Sequence, residues 1–181
     1  MTGLFNMAGR SEQRAAWRSV SWPEVAAFIG PNADRFEETW LLLSDRVGAG
    51  KPSMARSWSW PALLVPWAWL FYRKQWALGA MVLLIPVALS MLLPGAPAGA
   101  TLGLYVMFAI QAKAHYLNAA VHKIAKLKSA DPRSDRLENR IRQCGGVSTL
   151  AGFVSGAILG LILMLMVLAH LQIAHRIGAP H

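Results

Sequence analysis

An all-α integral membrane protein is the fold class that the sequence predicts, with three transmembrane helices, an interfacial tryptophan-rich helix and a small cytoplasmic helical segment at the N-terminus. Apolar residues make up 55% of the 181 residues and charged residues only 15%, and the mean hydropathy is +0.36. That composition is too apolar for a soluble domain of this length. Residues 75–112 and 143–175 carry no charged side chain, and a turn rich in Pro and Gly at 94–99 divides the first of these stretches in two.

Residues 1–56 are predicted to form the cytoplasmic helical segment. Their charges nearly balance, and no apolar run follows Met1, so we expect no secretory signal peptide. The pattern predicts a short helical turn at about 21–30, and Asn32 is a suitable cap for a helix over about 33–43. Three apolar side chains share one face of the longer helix: Phe36, Trp40 and Leu43. We expect this face to pack against other parts of the same chain.

Residues 57–74 are predicted to form a tryptophan-rich helix at the membrane interface. Ser59 and Pro61 are typical of a helix N-terminus, and the apolar run that follows ends at Tyr72. A helix of about a dozen residues is about 18 Å long, whereas the hydrocarbon core is about 30 Å thick. We therefore expect it to lie in the interface or to enter the membrane part way, with a bend at Pro66. The side chains assigned to the interface are Trp58, Trp60, Trp67, Trp69, Tyr72, Arg73, Lys74 and Trp76.

The uncharged stretches supply the predicted transmembrane helices. Residues 75–112 form a two-span hairpin around the turn at 94–99, and residues 144–181 contain a third span and a short external tail. The predicted spans are residues 76–93, 100–110 and 150–171. Each is long or apolar enough to lie mostly within the hydrocarbon core, and Pro86 is tolerated because membrane helices accept proline more readily than soluble ones.

The distribution of Lys and Arg predicts the orientation. The loop between the first two spans has neither residue, whereas Arg73, Lys74 and the connector over 113–143 are basic. The positive-inside rule then places the N-terminus in the cytoplasm and the C-terminus in the periplasm of a bacterial inner membrane. Topology and attraction to anionic headgroups account for the net charge of +9, so nucleic acid is not an expected partner.

Small residues recur every fourth position in the third span. The row comprises Ser148, Gly152, Gly156 and Gly160. A shorter row of the same spacing, Gly99 and Gly103, lies at the start of the second span. Such rows let a second helix approach closely, because packing rather than the hydrophobic effect drives helix association in lipid. The neighbour is either another span of this chain, or a copy of the protein or another membrane protein.

A polar stripe marks the end of the second span and comprises Gln111, His115, Asn118 and His122. It has two readings, a path for protons or metal ions and a solvated face at the cytoplasmic surface. The two histidines are about 10 Å apart along a helix, too far to share one metal ion without further ligands. No catalytic constellation or phosphate loop occurs, and the single cysteine, Cys144, excludes an internal disulfide. We therefore expect no enzyme, no cofactor and no metal.

The aromatic and basic motifs of the chain carry a family resemblance. They are Trp58-Ser-Trp60-Pro-Ala62 and Tyr72-Arg73-Lys74-Gln75-Trp76, with Phe28-Ile-Gly30-Pro-Asn32-Ala-Asp34 and Trp40 upstream and Gly145-Gly146-Val-Ser148 downstream. Through them, residues 25–155 resemble a family of small bacterial membrane proteins of unknown function, marked by W-x-W and then Y-R-K-x-aromatic. The chain departs from that pattern in Pro61, Pro66 and a sparser basic cluster after the second span. The resemblance implies inner-membrane residence and a cytoplasmic N-terminal segment, and nothing catalytic.

These observations predict a non-enzymatic accessory or scaffold subunit. Its expected partners are the lipid bilayer and either a larger membrane protein complex or further copies of itself, engaged through the small-residue row. The alternative is a small oligomeric channel or carrier that uses the polar stripe. A third possibility is an adaptor whose N-terminal helix recruits a cytoplasmic protein.

Overall fold

The computed structural model describes residues 2–92, 98–130 and 134–178, and in these ranges the chain is helical with no strand. The helices are α1 Thr2–Ser19, α2 Trp22–Ile29, α3 Asp34–Gly48, α4 Trp60–Leu64, α5 Pro66–Tyr72, α6 Trp76–Leu92, α7 Ala98–Ala130, α8 Ser134–Cys144 and α9 Thr149–Gly178. The all-α prediction is confirmed. Most of the turn predicted at 94–99 and the end of the predicted external tail lie outside the described residues.

The first three helices, the second half of α7 and α8 share one hydrophobic core, called here the head. Trp17 of α1 stacks on Trp40 of α3 with ring centroids 4.7 Å apart, and Phe36 contacts Tyr116 of α7 at 5.4 Å. Phe36, Trp40 and Leu43 are all buried. The apolar face of α3 is therefore covered by this chain itself, as the sequence predicted.

The N-terminal helices begin and end differently from the prediction in detail. The turn predicted at 21–30 is a full helix, α2, whose start is held by the Ser21 backbone N–H donating to the Glu24 carboxylate at 2.7 Å. Helix α3 begins at Asp34 with Ala33 rather than Asn32 at the cap position, and it runs on to Gly48. The extension occurs because Val47, 4% exposed, continues the buried face by one more turn.

The tryptophan-rich segment is two short helices and not the single bent helix that was predicted. The chain leaves the helical conformation at Val65, where φ is −141° and ψ is 73°. Pro66 causes the break, because its ring disfavours the helical region for the residue before it. The two helices pack on different neighbours, α4 on α7 and α5 on α6 and α9.

Helix α7 continues across the predicted boundary between the two-span hairpin at 75–112 and the basic connector at 113–143. It runs unbroken for 33 residues through the predicted second span and into the basic connector. No Gly or Pro interrupts residues 104–130, so nothing in the local sequence stops the helix. Its second half supplies much of the core of the head, including Leu117, Val121 and Ile124, each 0% exposed.

The three apolar helices, α6, the first half of α7 and α9, begin or end at one face of the head. The Ser148 N–H donates to the Tyr72 carbonyl at 2.8 Å, and the Ser57 N–H donates to the Ile110 carbonyl at 2.8 Å. The first bond joins the start of α9 to the end of α5, next to the start of α6, and the second joins the chain before α4 to the middle of α7. Among the described residues the apolar helices make no extended contact with one another, and most of their large side chains are exposed.

By length and composition, one helical stretch of the described chain could cross a membrane. It covers Arg136–Leu161, which includes the end of α8, the link at 145–148 and the first part of α9, and its apolar part lies in α9. Trp76–Leu89 within α6 is apolar but shorter.

Candidate functional site at the Tyr72-Arg73-Lys74 junction

The chain turns sharply between α5 and α6 at the most specific motif of the sequence. Lys74 has a φ of +58°, and it is the one non-glycine residue with positive φ in the described parts of the chain. The Gln75 N–H donates to the Leu70 carbonyl at 2.9 Å and the Lys74 N–H to the Phe71 carbonyl at 3.0 Å. This is the Schellman arrangement that ends a helix, in which glycine is the usual residue at the left-handed position. A lysine there needs a compensating interaction.

The Lys74 side chain provides that interaction. Its ammonium donates to the Gly145 carbonyl at 2.6 Å, which ties the α5–α6 turn to the chain between α8 and α9. The neighbouring Gly146 N–H donates to the Phe28 carbonyl at 2.6 Å. The junction therefore fastens α2, α5 and the start of α9 together.

A pair of Lys74 variants measures both effects. Lys74→Ala and Lys74→Gly each lose the bond to Gly145, which is worth about 1.5–3 kcal/mol for a charged donor before solvent screening. In Lys74→Gly the left-handed backbone no longer carries a side chain, and removing that strain recovers about 1 kcal/mol of stability. We therefore expect both variants to be less stable than the wild type, with Lys74→Ala about 1 kcal/mol below Lys74→Gly. Chemical denaturation in detergent measures the difference, and equal stabilities would contradict the left-handed assignment.

Tyr72 holds the beginning of α9 in place. Its carbonyl accepts from the Ser148 N–H, and the Ser148 hydroxyl accepts from the Ala151 N–H at 3.2 Å, which caps the helix. A Cβ on Gly152 would lie 3.1 Å from the Tyr72 ring. The first two members of the small-residue row are therefore occupied by this chain's own Tyr72.

Arg73 lies inside the protein, 7% exposed, in a cage of aromatic rings. Its guanidinium carbon is 4.8 Å from the centroid of the Phe36 ring, 5.1 Å from that of Tyr116 and 5.9 Å from that of Tyr72. The guanidinium Nε and Nη1 are buried without a hydrogen-bond partner. Within the described ranges no carboxylate forms an ion pair with Arg73. The cage thus holds a buried cation without a counter-charge.

The Tyr116 hydroxyl approaches the guanidinium without the geometry of a hydrogen bond. Burial raises the pKa of Tyr116, and the charge of Arg73 opposes that rise. Tyr116 therefore stays neutral and cannot neutralise Arg73.

A cleft of about 830 Å³ opens beside the cage, between α3, α4, α5 and α7. Arg73, Arg35 and Lys113 line it together with Trp58, Trp60 and Leu64, and no acidic residue is among its lining residues in the described chain. The Lys113 ammonium donates to the Arg35 carbonyl at 2.9 Å. Partial burial lowers the pKa of Lys113, Glu38 opposes that shift and Arg35 adds to it. Of its lining side chains Arg73 is buried and Lys113 half-buried, whereas Arg35, Trp58, Trp60 and Leu64 are exposed.

The tryptophans assigned to the membrane interface divide into two groups. Trp67 and Trp69 are each 9% exposed and pack inside the protein, as does Arg73 at 7%. Trp58 and Trp60 are 42% and 64% exposed and contact each other edge to face at 5.1 Å. Trp76 is also exposed and stacks on Phe71 at 5.6 Å.

The polar stripe is divided between the head and the surface. The Asn118 side chain donates to the Ser53 carbonyl at 2.9 Å and accepts from the Trp17 indole at 3.1 Å. His115 and His122 are exposed, and Gln111 is half-buried. Among the described residues no group of three or more His, Cys, Asp or Glu is arranged to hold a metal ion.

The remaining small residues face open space. A Cβ added at Gly99, Gly103, Gly156 or Gly160 would meet no described atom within 4 Å. The small-residue row is thus occupied at its start and open from Gly156 onward.

Sequence reasoning singled out Arg73 but missed the residues around it. Phe36, Arg35, Lys113 and Tyr116 come from α3 and α7, which are separated from Arg73 by tens of positions. No spacing rule links them. The one local signal was Lys113, the first charge after a long uncharged stretch.

The head, the junction and the apolar helices make the described part of this chain all-helical. The chain belongs to the family described as protein of unknown function (DUF2628), whose model matches residues 16–125. The expected membership of a family of unknown function is therefore confirmed, and the match includes the Tyr72-Arg73-Lys74 junction. No curated protein and no solved structure matches the chain.

Proposed function

We propose that this chain is a non-enzymatic, multi-pass protein of the bacterial inner membrane that acts as an accessory or scaffold subunit of a larger membrane complex. In this proposal α6, the first half of α7 and α9 cross the bilayer, and the head lies in the cytoplasm. Tyr72, next to the start of α6, bonds to the start of α9, and Trp69 of α5 contacts Phe108 in the first half of α7. These contacts support a single membrane boundary.

The chain directions support the same topology. Helices α6 and α9 run away from the head, whereas α7 runs towards it. With 17 residues α6 is about 26 Å long, close to the hydrocarbon thickness of about 30 Å. The basic residues of α7 and α8 lie on the head side, as the positive-inside rule requires for a cytoplasmic head.

The open part of the small-residue row carries the proposed docking role. Gly156 and Gly160 face no part of the described chain, while Tyr72 already covers Gly152. In lipid, close van der Waals packing is a main source of helix association, so an uncovered row of this kind favours a helix from another subunit. The channel alternative has less support, because the Asn118 amide is taken up in holding α1 to α7.

Substitution of one glycine tests the docking role. Gly156→Leu fills the row, and we expect it to abolish association with the partner while leaving insertion and the head intact. Val154, 49% exposed, lies on the opposite side of α9, so Val154→Leu is the matched control. The measurement is gentle extraction from native membranes at native expression level, followed by native mass determination and identification of co-purifying chains.

The outcomes separate the candidate functions. Loss of a stoichiometric partner in Gly156→Leu but not in Val154→Leu supports the scaffold role. An unchanged complex in both variants contradicts it. A homo-oligomer without other chains favours the channel instead, and His115→Leu with Asn118→Leu then has to abolish flux. Loss of a cytoplasmic partner when the exposed Arg18 of α1 is replaced by Glu favours the adaptor.

A further inference from the structure

We propose that the cleft beside Arg73 binds the phosphate group of an anionic membrane lipid, with Arg73 as the anion-binding charge at its base. The proposal concerns a ligand site that is separate from the docking row of α9. It rests on three observations: the burial of Arg73, the charge of the cleft, and the aromatic side chains at its mouth.

The burial of Arg73 without a counter-charge is the first argument. Removing an ion from water is costly even after the protein relaxes around it. The cation–π contacts with Phe36 and Tyr116 offset only part of that cost. Nε and Nη1 still lack hydrogen-bond partners. A guanidinium that is buried without a counter-charge, and with two nitrogens lacking hydrogen-bond partners, is suited to bind an anion from outside the chain.

The charge of the cleft is the second argument. Arg35 and Lys113 line the same space as Arg73, and the lining residues include no carboxylate in the described chain. A phosphate group accepts bidentate hydrogen bonds from a guanidinium and a further bond from an ammonium. All three cations belong to the folded head, with Arg73 buried, Lys113 half-buried and Arg35 exposed.

The mouth of the cleft is the third argument, and it favours a lipid over a soluble phosphate. Trp58, Trp60 and Leu64 border the opening, and Leu64 is 73% exposed. The segment that carries the tryptophans is bonded to α7 at Ile110, just before the first charge at Lys113. The cleft therefore opens where the uncharged part of α7 ends, which in the proposed topology is the level of the headgroups and of interfacial indole rings.

The test compares lipid binding and stability in the purified, delipidated full-length protein. The probes are a short-chain phosphatidylglycerol, a short-chain phosphatidylcholine and inorganic phosphate, added in detergent while thermal unfolding is followed. We expect phosphatidylglycerol to raise the Tm of the wild type more than phosphatidylcholine does. Arg73→Met is expected to weaken phosphatidylglycerol binding at least about 10-fold, because one charge-assisted contact is lost.

Arg73→Met has a second expected effect that a purely structural arginine would not show. Replacing a buried, unpaired charge by an apolar side chain of similar length raises the Tm of the ligand-free protein. Arg18, exposed on α1, gives the control Arg18→Met with the same change in net charge. If Arg73→Met does not fold, Lys113→Gln is used, with several-fold weaker lipid binding expected.

Two results overturn the proposal. One is an equal response of the wild type and the cleft variants to phosphatidylglycerol. The other is an equal shift with inorganic phosphate at matched concentration, which assigns the cleft to a soluble phosphate. Since Gly156→Leu leaves the cleft intact, failure of the docking role and failure of lipid binding are distinguishable.

Discussion

Gly145→Ala is expected to lower the free energy of unfolding by roughly 3 kcal/mol, because the added methyl group overlaps the backbone of α2. A Cβ at this position would lie 2.1 Å from the Phe28 carbonyl oxygen and 2.8 Å from its carbonyl carbon. Backbone atoms cannot rotate away as a flexible side chain can. The end of α2 must therefore shift, and the bond from the Gly146 N–H to the same Phe28 carbonyl is lost with it.

The measurement is chemical or thermal unfolding of the detergent-solubilised protein. Gly156→Ala is the matched control, because a Cβ there meets open space within the described structure. Its stability is expected to equal or slightly exceed that of the wild type, since alanine favours a helix over glycine by about 1 kcal/mol. Similar stabilities for the two variants would contradict the close approach of Gly145 to α2.

Trp40→Ala is expected to destabilise the head by about 3–5 kcal/mol, the usual cost of removing a large buried aromatic side chain. Trp40 is 6% exposed and lies between Trp17, at 4.7 Å, and Trp22, at 6.0 Å. Its loss leaves a cavity where α1, α2 and α3 meet. We expect limited proteolysis to cut residues 1–56 sooner and unfolding to occur at lower denaturant concentration.

Trp60→Ala is the control, because Trp60 is 64% exposed and its removal opens no cavity. The comparison also tests the predicted boundary at residue 56. The core of the head contains residues from both sides of that boundary, among them Val47 and Ile124. If residues 1–56 form an independent unit, Trp40→Ala will release only that unit while α7 and α8 stay folded. A single cooperative loss of the whole head is the expected result.

Local sequence signals predicted those parts of the fold that depend on near neighbours. Uncharged stretches marked α6, the first half of α7 and α9, and the spacing of Phe36, Trp40 and Leu43 marked the buried face of α3. The break at Val65 follows from its neighbour Pro66, which disfavours the helical conformation for the residue before it. The sequence marks the tyrosine, arginine and lysine motif as the most specific part of the family resemblance, but it does not predict the role of the motif at the junction.

The sequence by itself determined that the chain is helical, apolar in three helices and basic on one side of them, because composition and periodicity act over one or two helical turns. Only the tertiary structure decided that Arg73 is buried, that Lys74 fastens α5 to the chain before α9, and that Tyr72 covers Gly152. These relations join residues from helices far apart in the sequence. They depend on how packed surfaces fit in space, and no short-range pattern of residues encodes that fit.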